Sequence, residues 1–196
     1  MRRSQLVAVF ALLLALTGCA SDRLPAASVQ PVISAPAATA ATTPPIPVRV
    51  EIPAIKAVSS LIPLHLGPGD VLQTPSVNEP MQAGWYADGY RPGEPGPAVV
   101  AGHVDGQVNG KAGQPGIFFR LRDLDIGDKA IITRADGSTV TYVAYRKVAY
   151  DKDTFGTDEV YGKTELSELR AITCDGKFNR AKHSYEDNLV VFFREA

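Results

Sequence analysis

Short apolar segments separated by turn-forming residues dominate most of the chain. Residues 48–52 alternate apolar and polar side chains, which is typical of a half-buried strand. Residues 61–66 predict a second strand, followed by a Gly-Pro-Gly turn at residues 67–69. Residues 98–103 form a continuous apolar run typical of an interior strand. His103 is therefore expected at the end of a strand.

The second half of the chain continues this pattern with little helix. Residues 118–124 are amphipathic and predict one or two helical turns, whereas residues 135–138 (Ala-Asp-Gly-Ser) predict a hairpin turn. The total of about seven or eight strands predicts a mainly β fold with short helices. Their even spacing favours a closed or nearly closed barrel over an α/β sheet. The further predicted strands are residues 129–134, 139–150, 169–173 and 189–193.

The N-terminal residues 1–18 have the pattern of an export signal. Two arginines precede an apolar stretch at residues 6–16, which is too short for the roughly 20 residues that span a bilayer. The stretch ends in Leu-Thr-Gly before Cys19, which resembles the bacterial lipobox, in which the cysteine is acylated. An ordinary secretory signal is the alternative. Either reading predicts a protein that works outside the cytoplasm.

Composition divides the exported part into a tether and a folded domain. Residues 19–47 consist largely of Ala, Pro, Ser, Thr and Val, a composition that cannot bury a core. Residues 48–196 are long enough to fold without a disulfide. We therefore predict a domain anchored to the outer face of the cell membrane by a lipid on Cys19 and held away from it by the tether.

Charge and motif content exclude several functional classes. The 196 residues include 20 basic and 21 acidic side chains, so the formal charge of −1 gives no electrostatic case for a nucleic-acid partner. Apolar residues at 45% exclude a wholly disordered chain. The three histidines show no metal-ligand spacing, and no glycine-rich phosphate loop occurs. We expect neither a metal nor another cofactor.

Cys174 is the first residue that the pattern marks for chemistry. It follows the short strand at residues 169–173 and precedes a predicted turn at residues 175–177, so its thiol is expected at a strand end. If Cys19 carries a lipid, Cys174 has no partner for a disulfide. An unpaired thiol in an oxidising compartment favours a nucleophile, although a buried and inert cysteine remains the alternative.

A nucleophilic cysteine needs a proton acceptor, which is most often histidine. His103 is the best candidate because it also ends an apolar strand, although a structural histidine in a turn remains possible. His65 alternates with leucines, and His183 lies in a polar loop. Arg180 follows Cys174 by six positions and is a candidate for stabilising an oxyanion, with a solvated loop arginine as the alternative.

An ordered set of motifs gives a specific resemblance. The motifs are residues 99–105 (Val-Val-Ala-Gly-His-Val-Asp), 116–121 (Gly-Ile-Phe-Phe-Arg-Leu), 126–128 (Ile-Gly-Asp), 172–174 (Ile-Thr-Cys) and 185–188 (Tyr-Glu-Asp-Asn). With these motifs the chain resembles the sortases, and most closely the actinobacterial class F (class E/F) group, from about residue 48 to its C-terminus. The resemblance implies an eight-stranded β-barrel.

The resemblance implies a cysteine transpeptidase. Such an enzyme cleaves a Leu-Pro-x-Thr-Gly-like sorting signal of a surface protein between Thr and Gly through a thioacyl intermediate. It then transfers the acyl part to an amine acceptor such as a peptidoglycan precursor. By resemblance, Cys174 is the nucleophile and His103 the acid and base, whereas Thr173 helps to hold the oxyanion or substrate.

Two departures from the family pattern leave alternatives open. Residues 170–172 read Arg-Ala-Ile instead of the more usual Thr-Leu-x, and Asn188 stands where the family arginine usually begins the last strand. The arginine role is therefore assigned to Arg180. A catalytically silent sortase-like lipoprotein that binds cell-wall or surface peptides is one alternative, and an unrelated secreted β-domain with a redox-active thiol is another. Other candidate arginines are Arg120, Arg122 and Arg170.

Overall fold

The computed structural model describes residues 43–196. The predicted signal peptide at residues 1–18, the lipidation site Cys19 and most of the predicted tether lie outside these residues. The boundaries proposed for those segments therefore stay predictions.

Eight strands close into a barrel, and two more form a separate hairpin. Around the barrel the strands follow the order β1, β2, β3, β4, β9, β10, β8, β7. The pairs β2–β3 and β4–β9 are parallel, and all other barrel pairs are antiparallel. The strands are β1 (Pro47–Ile52), β2 (Ala57–Leu64), β3 (Ala83–Tyr86), β4 (Gly96–Gly102), β5 (Asp105–Val108), β6 (Lys111–Pro115), β7 (Lys129–Arg134), β8 (Thr139–Asp151), β9 (Ser167–Asn179) and β10 (Ser184–Glu195).

The predicted mainly β barrel with short helices is confirmed. The helical turn expected at residues 118–124 is a single 3-10 turn, Leu121–Asp123, and the expected hairpin turn at residues 135–138 joins β7 to β8. The remaining helices are α1 (Thr157–Tyr161) and the 3-10 turns Pro53–Ile55, Pro68–Asp70 and Lys152–Thr154.

Strand β4 is apolar throughout because both of its faces are covered. Ala98 and Val100 point into the barrel and belong to the main core. Val99 points outward and packs with Ile172 of β9 and Val160 of α1 in a second buried cluster. Alternating side chains of one strand therefore fill two cores, which explains the continuous apolar run in the sequence.

The turn predicted immediately after Cys174 is wrong. Strand β9 continues past it to Asn179, so Cys174 lies within a long strand of a β9–β10 hairpin. Gly176 adopts a left-handed φ of 78°, and the register with β10 shifts between Tyr185 and Asp187. The glycine that suggested a turn thus forms a β-bulge, which lets the strand bend without ending.

The sequence also left two features unassigned. Strand β3 has only four residues, too few for an alternating pattern to mark it, and carries an aromatic pair, Trp85 and Tyr86. The hairpin of β5 and β6 is mostly polar and exposed, so it has no apolar alternation to mark it.

Candidate active site

The parallel pair β4–β9 brings His103 and Cys174 to one edge of the barrel. The last pair in the register is Ala101 with Ile172, and His103 and Cys174 each follow two residues later. Because side chains alternate between faces, Cys174 shares the outer face with Ile172 rather than the barrel interior with Ala171. His103 directly follows the end of β4 and Cys174 lies within β9, so each stands two residues beyond the last pair at the same edge of the sheet.

His103 is held by a hydrogen bond to a loop. Its Nε2 lies 2.7 Å from the carbonyl oxygen of Pro75, and since a carbonyl can only accept, Nε2 carries the proton. In the neutral ring, Nδ1 is then the atom that can accept a proton. The His103 carbonyl accepts a hydrogen bond of 3.0 Å from the Phe118 N–H, and Gly116 packs so closely on it that a Cβ there would clash. Gly116 and Phe118, both in the motif at residues 116–121, therefore hold the backbone of His103 in place.

Cys174 is half-buried and makes no disulfide. Its cross-strand neighbour on β10 is Asn188. The ammonium of Lys152 lies 3.4 Å from the Cys174 sulfur and donates a 2.9 Å hydrogen bond to the Ser184 hydroxyl oxygen. The thiol thus has a positive charge in direct contact.

Tyr185 forms a hydrogen bond with the segment that follows His103. Its hydroxyl donates a 2.6 Å hydrogen bond to the carboxylate of Asp105, which comes two residues after His103. Burial raises the pKa of Tyr185 to about 12, and the hydrogen bond to Asp105 and the charge of that carboxylate act in the same direction. The phenol therefore stays protonated and links β10 to the segment that follows His103.

Thr173 presents a buried hydroxyl. The residue is 4% exposed, and its Oγ1 has no hydrogen-bond partner among residues 43–196. Thr173 pairs with Leu189, which faces the barrel interior, so its side chain points away from the Cys174 thiol. The role predicted for Thr173 stays a prediction.

Arg180 lies in the exposed turn of the β9–β10 hairpin, beyond the last pair, Asn179 with Ser184. It follows Cys174 by six positions, which span up to about 20 Å at 3.3 Å per residue. Within the described residues its side chain makes no ion pair, and its predicted role stays a prediction. The other candidate arginines each form an ion pair, Arg122 with Asp175, Arg170 with Glu168 and Arg120 with Asp123.

The two other histidines lie apart from this arrangement. His65 is exposed, and its Nδ1 lies 3.0 Å from the Asp88 carboxylate. His183 is exposed in the hairpin turn with a left-handed φ of 48°. Neither histidine forms a hydrogen bond with Cys174 in the described part of the chain.

Sequence reasoning missed Lys152. The residue precedes Cys174 by 22 positions and carries no local signal, because its approach depends on β10 lying between β8 and β9. The Tyr185–Asp105 contact spans 80 positions and is equally non-local, although both residues belong to motifs that carry the resemblance.

Two further features were sought among the described residues, a cluster of metal ligands and a membrane-spanning helix. In residues 43–196, no group of three or more His, Cys, Asp or Glu side chains is arranged to hold a metal ion. The same part of the chain contains no helix with the length and apolar character needed to cross a membrane.

Comparison with known proteins identifies the fold and the family. The profile of the Sortase domain matches residues 50–196. No curated protein matches the chain in sequence.

Solved sortase structures share the barrel at low sequence identity. A lid mutant of sortase A from Corynebacterium diphtheriae is 20% identical, with a TM-score of 0.56 over 80% of this chain and 73% of that one. Sortase C-1 from Actinomyces oris is 21% identical, with a TM-score of 0.56 over 76% and 72%. Sortase C from Clostridium perfringens SM101 is 15% identical, with a TM-score of 0.53 over 76% and 68%. Since the domain profile covers three quarters of its length, this chain belongs to the sortase family.

Proposed function

We propose that this protein is a cysteine transpeptidase that cleaves a Leu-Pro-x-Thr-Gly-like sorting signal between Thr and Gly. The observation that carries the proposal is the parallel pairing of β4 with β9, because His103 and Cys174 each lie two residues beyond its last pair, at the same edge of the sheet. A half-buried thiol on the outer face remains open to a peptide. A nucleophile and a histidine in this arrangement suit acyl transfer.

Acylation begins at the Cys174 sulfur. The thiol proton passes to Nδ1 of His103, the ring atom left free by the hydrogen bond to Pro75. The sulfur attacks the threonine carbonyl carbon, so that a C–S bond forms and the carbonyl π electrons move to oxygen. When this oxyanion collapses, the C–N bond to glycine breaks, and the leaving amine takes the proton from His103.

Deacylation reverses these roles with a different amine. The acceptor amine attacks the thioester carbonyl carbon and gives a proton to His103. The tetrahedral intermediate then collapses, the C–S bond breaks, and the proton returns to the sulfur of Cys174. The product is a peptide bond between the sorted protein and the acceptor, such as a peptidoglycan precursor, with no net oxidation or reduction.

The finer assignment within the family rests on the sequence motifs. We propose the actinobacterial class F (class E/F) group, on the Tyr-Glu-Asp-Asn segment at residues 185–188 and the His103 motif. The nearly balanced charge of the chain gives no electrostatic case for a nucleic-acid partner.

The proposed location is the outer face of the cell membrane. Its support is the lipobox-like sequence before Cys19 and the Ala/Pro-rich tether at residues 19–47. A lipid anchor of this kind would place the catalytic domain beside both cell-wall precursors and surface proteins that carry sorting signals.

The resemblance gives Thr173 and Arg180 as candidate supports for the oxyanion. Neither residue directly contacts the Cys174 sulfur in the described structure. The Thr173 hydroxyl is buried, and Arg180 lies in the exposed hairpin turn. They enter the tests below as candidates to be separated from other residues.

A ligation assay tests the proposed function. The protein is incubated with a panel of Leu-Pro-x-Thr-Gly-type peptides and amine acceptors, and the products are detected by mass. The proposal expects a ligated product that contains the acyl part up to threonine, and none from Cys174→Ala. The exposed His65→Ala variant serves as a matched control that retains activity. A panel without cleavage or transfer would overturn the proposal.

A catalytically silent sortase-like lipoprotein that binds cell-wall or surface peptides is the second candidate. The observation that favours it is the absence of an arginine on β10 opposite Cys174, where Asn188 stands instead. This candidate expects peptide binding of equal strength in the native protein and in Cys174→Ala, with no product from either.

A further inference from the structure

The positive charge beside the nucleophile comes from Lys152, which directly follows a third strand, β8. Lys152 begins the 3-10 turn that follows β8, and β10 lies between β8 and β9. Its side chain therefore reaches across β10 to Cys174, where Nζ lies 3.4 Å from the sulfur. The lysine is half-buried, so its ammonium is less screened by solvent than those of the exposed lysines.

The surroundings hold this ammonium in place and leave one donor free. An ammonium has three N–H groups. One is directed at Cys174, and the Ser184 oxygen accepts another at 2.9 Å, while the Ser184 hydroxyl itself donates to the Tyr185 carbonyl at 3.2 Å. The third N–H is available to an atom that binds at the sulfur.

The nearby acids do not neutralise Lys152. It forms no ion pair within residues 43–196, although Asp151 and Asp153 flank it in sequence. Asp153 lies 3.6 Å from Lys182 instead. Asp151 accepts a hydrogen bond from the Asp153 N–H. Among the described residues, the Cys174 sulfur is therefore the group that could serve as the counterion of the Lys152 ammonium.

We propose that Lys152 is a catalytic residue whose ammonium stabilises negative charge at Cys174, first on the thiolate and then on the oxyanion of both tetrahedral intermediates. This inference rests on the proposed transpeptidase function. It gives to a lysine in the turn after β8 the charge role that the resemblance gives to an arginine. A preorganised donor of this kind acts without reorganisation during the reaction.

Other cations are less suited to this role in the described structure. Arg122 forms an ion pair of 2.8 Å with Asp175, so its charge is already balanced. Arg180 lies in the exposed turn several residues beyond Cys174. Among the lysines and arginines of residues 43–196, Lys152 alone forms a hydrogen bond with the thiol.

The local charge can be measured without any sorting peptide. Cys174 is modified with an anionic sulfonatoethyl methanethiosulfonate and with the cationic trimethylammonioethyl reagent, and the ratio of the two rate constants is taken. Both reagents react with the same thiolate, so the thiolate fraction cancels and the ratio reports the electrostatic potential at the sulfur. We expect Lys152→Met to lower the anionic-to-cationic ratio by about tenfold.

Two variants control for charge and for packing. Lys152→Arg keeps the positive charge and should hold the ratio within about twofold of the native value. Lys177→Met removes the same net charge from an exposed position on β9, about 10 Å along the strand from Cys174, and should leave the ratio unchanged. If Lys152→Met does not fold, Lys152→Gln removes the charge while keeping a polar end group.

Transpeptidation then tests the catalytic consequence. We expect Lys152→Met to lower kcat/KM by about 10²-fold, mainly through kcat, with substantial rescue in Lys152→Arg. A native reagent ratio or a native kcat/KM in Lys152→Met and Lys152→Gln would overturn the inference. If the native protein transfers no peptide, the proposed function fails, while the reagent ratio still reports whether Lys152 charges the thiol.

Discussion

The Tyr185 hydroxyl donates a 2.6 Å hydrogen bond to the Asp105 carboxylate across 80 positions of sequence. Tyr185 lies on β10, three positions before Asn188, the cross-strand neighbour of Cys174, and Asp105 opens the hairpin that begins two residues after His103. The contact therefore ties together the two chain segments that carry the candidate nucleophile and its proton acceptor.

Removal of this hydrogen bond should weaken the site. Tyr185→Phe keeps the ring but leaves Asp105 without its partner, and we expect a loss of about 1 kcal/mol in the free energy of unfolding. We also expect kcat/KM to fall by up to about tenfold, because His103 is held less firmly relative to Cys174. Urea denaturation and the ligation assay measure the two effects. Tyr145→Phe is the matched control, since its hydroxyl donates to the Glu168 carboxylate, six positions before Cys174 on β9; equal kcat/KM losses in both variants would contradict a local role.

The raised pKa of Tyr185 predicts how the stability of the fold depends on pH. Its pKa in the folded protein is about 12, above the ordinary value of 10.0, so the folded state holds the phenolic proton more tightly than the unfolded chain. The resulting stabilisation is complete below pH 10 and is lost as the pH rises towards 12. We expect the free energy of unfolding to decline over this range, and less steeply in Tyr185→Phe. Denaturant titrations from pH 9 to 12 that show parallel declines would argue against this contribution.

The sequence predicted the barrel because its strands alternate or run apolar according to which faces they bury, as β1 and β4 illustrate. The partners of the site depend instead on strand order. Only the arrangement β8, β10, β9 brings Lys152 to Cys174, and no local pattern encodes it. The predicted turn after Cys174 was wrong because Gly176 has the same local signature in a bulge as in a turn.

The histidine assignment makes a graded prediction. His103→Ala should lose at least about 10²-fold in kcat/KM, because His103 follows β4 at the sheet edge where Cys174 lies and is assigned the proton transfer. His65→Ala and His183→Ala remove exposed rings and should retain most of the activity. Steady-state kinetics of the three variants decide the matter, and a large loss confined to His183→Ala would identify a different acid and base.

Lys152 and Arg180 compete for one electrostatic role, and a parallel scan separates them. Because Lys152 contacts the sulfur and Arg180 lies in the exposed turn, we expect Arg180→Ala to stay within a few-fold of the native kcat/KM. Arg120→Ala and Arg122→Ala are measured alongside. A loss of about 10²- to 10³-fold in Arg180→Ala, with a silent Lys152→Met, would return the role to the arginine.

The lipid anchor is tested independently of catalysis. We expect fatty-acid labelling at Cys19, and we expect Cys19→Ser to release or mislocalise the protein. Ligation by the purified domain should be unchanged in this variant, because residues 48–196 hold the candidate site. Processing at another residue, without label, would refute the lipobox assignment.

Capture of the thioacyl enzyme tests the central claim most directly. The native protein is mixed with a Leu-Pro-x-Thr-Gly peptide without an amine acceptor, quenched in acid, and measured by intact mass and peptide mapping. We predict a mass increase equal to the acyl part ending in threonine, located on Cys174, absent from Cys174→Ala and discharged when an amine is added. Peptide cleavage without any adduct on Cys174, or cleavage that survives Cys174→Ala, would contradict the account.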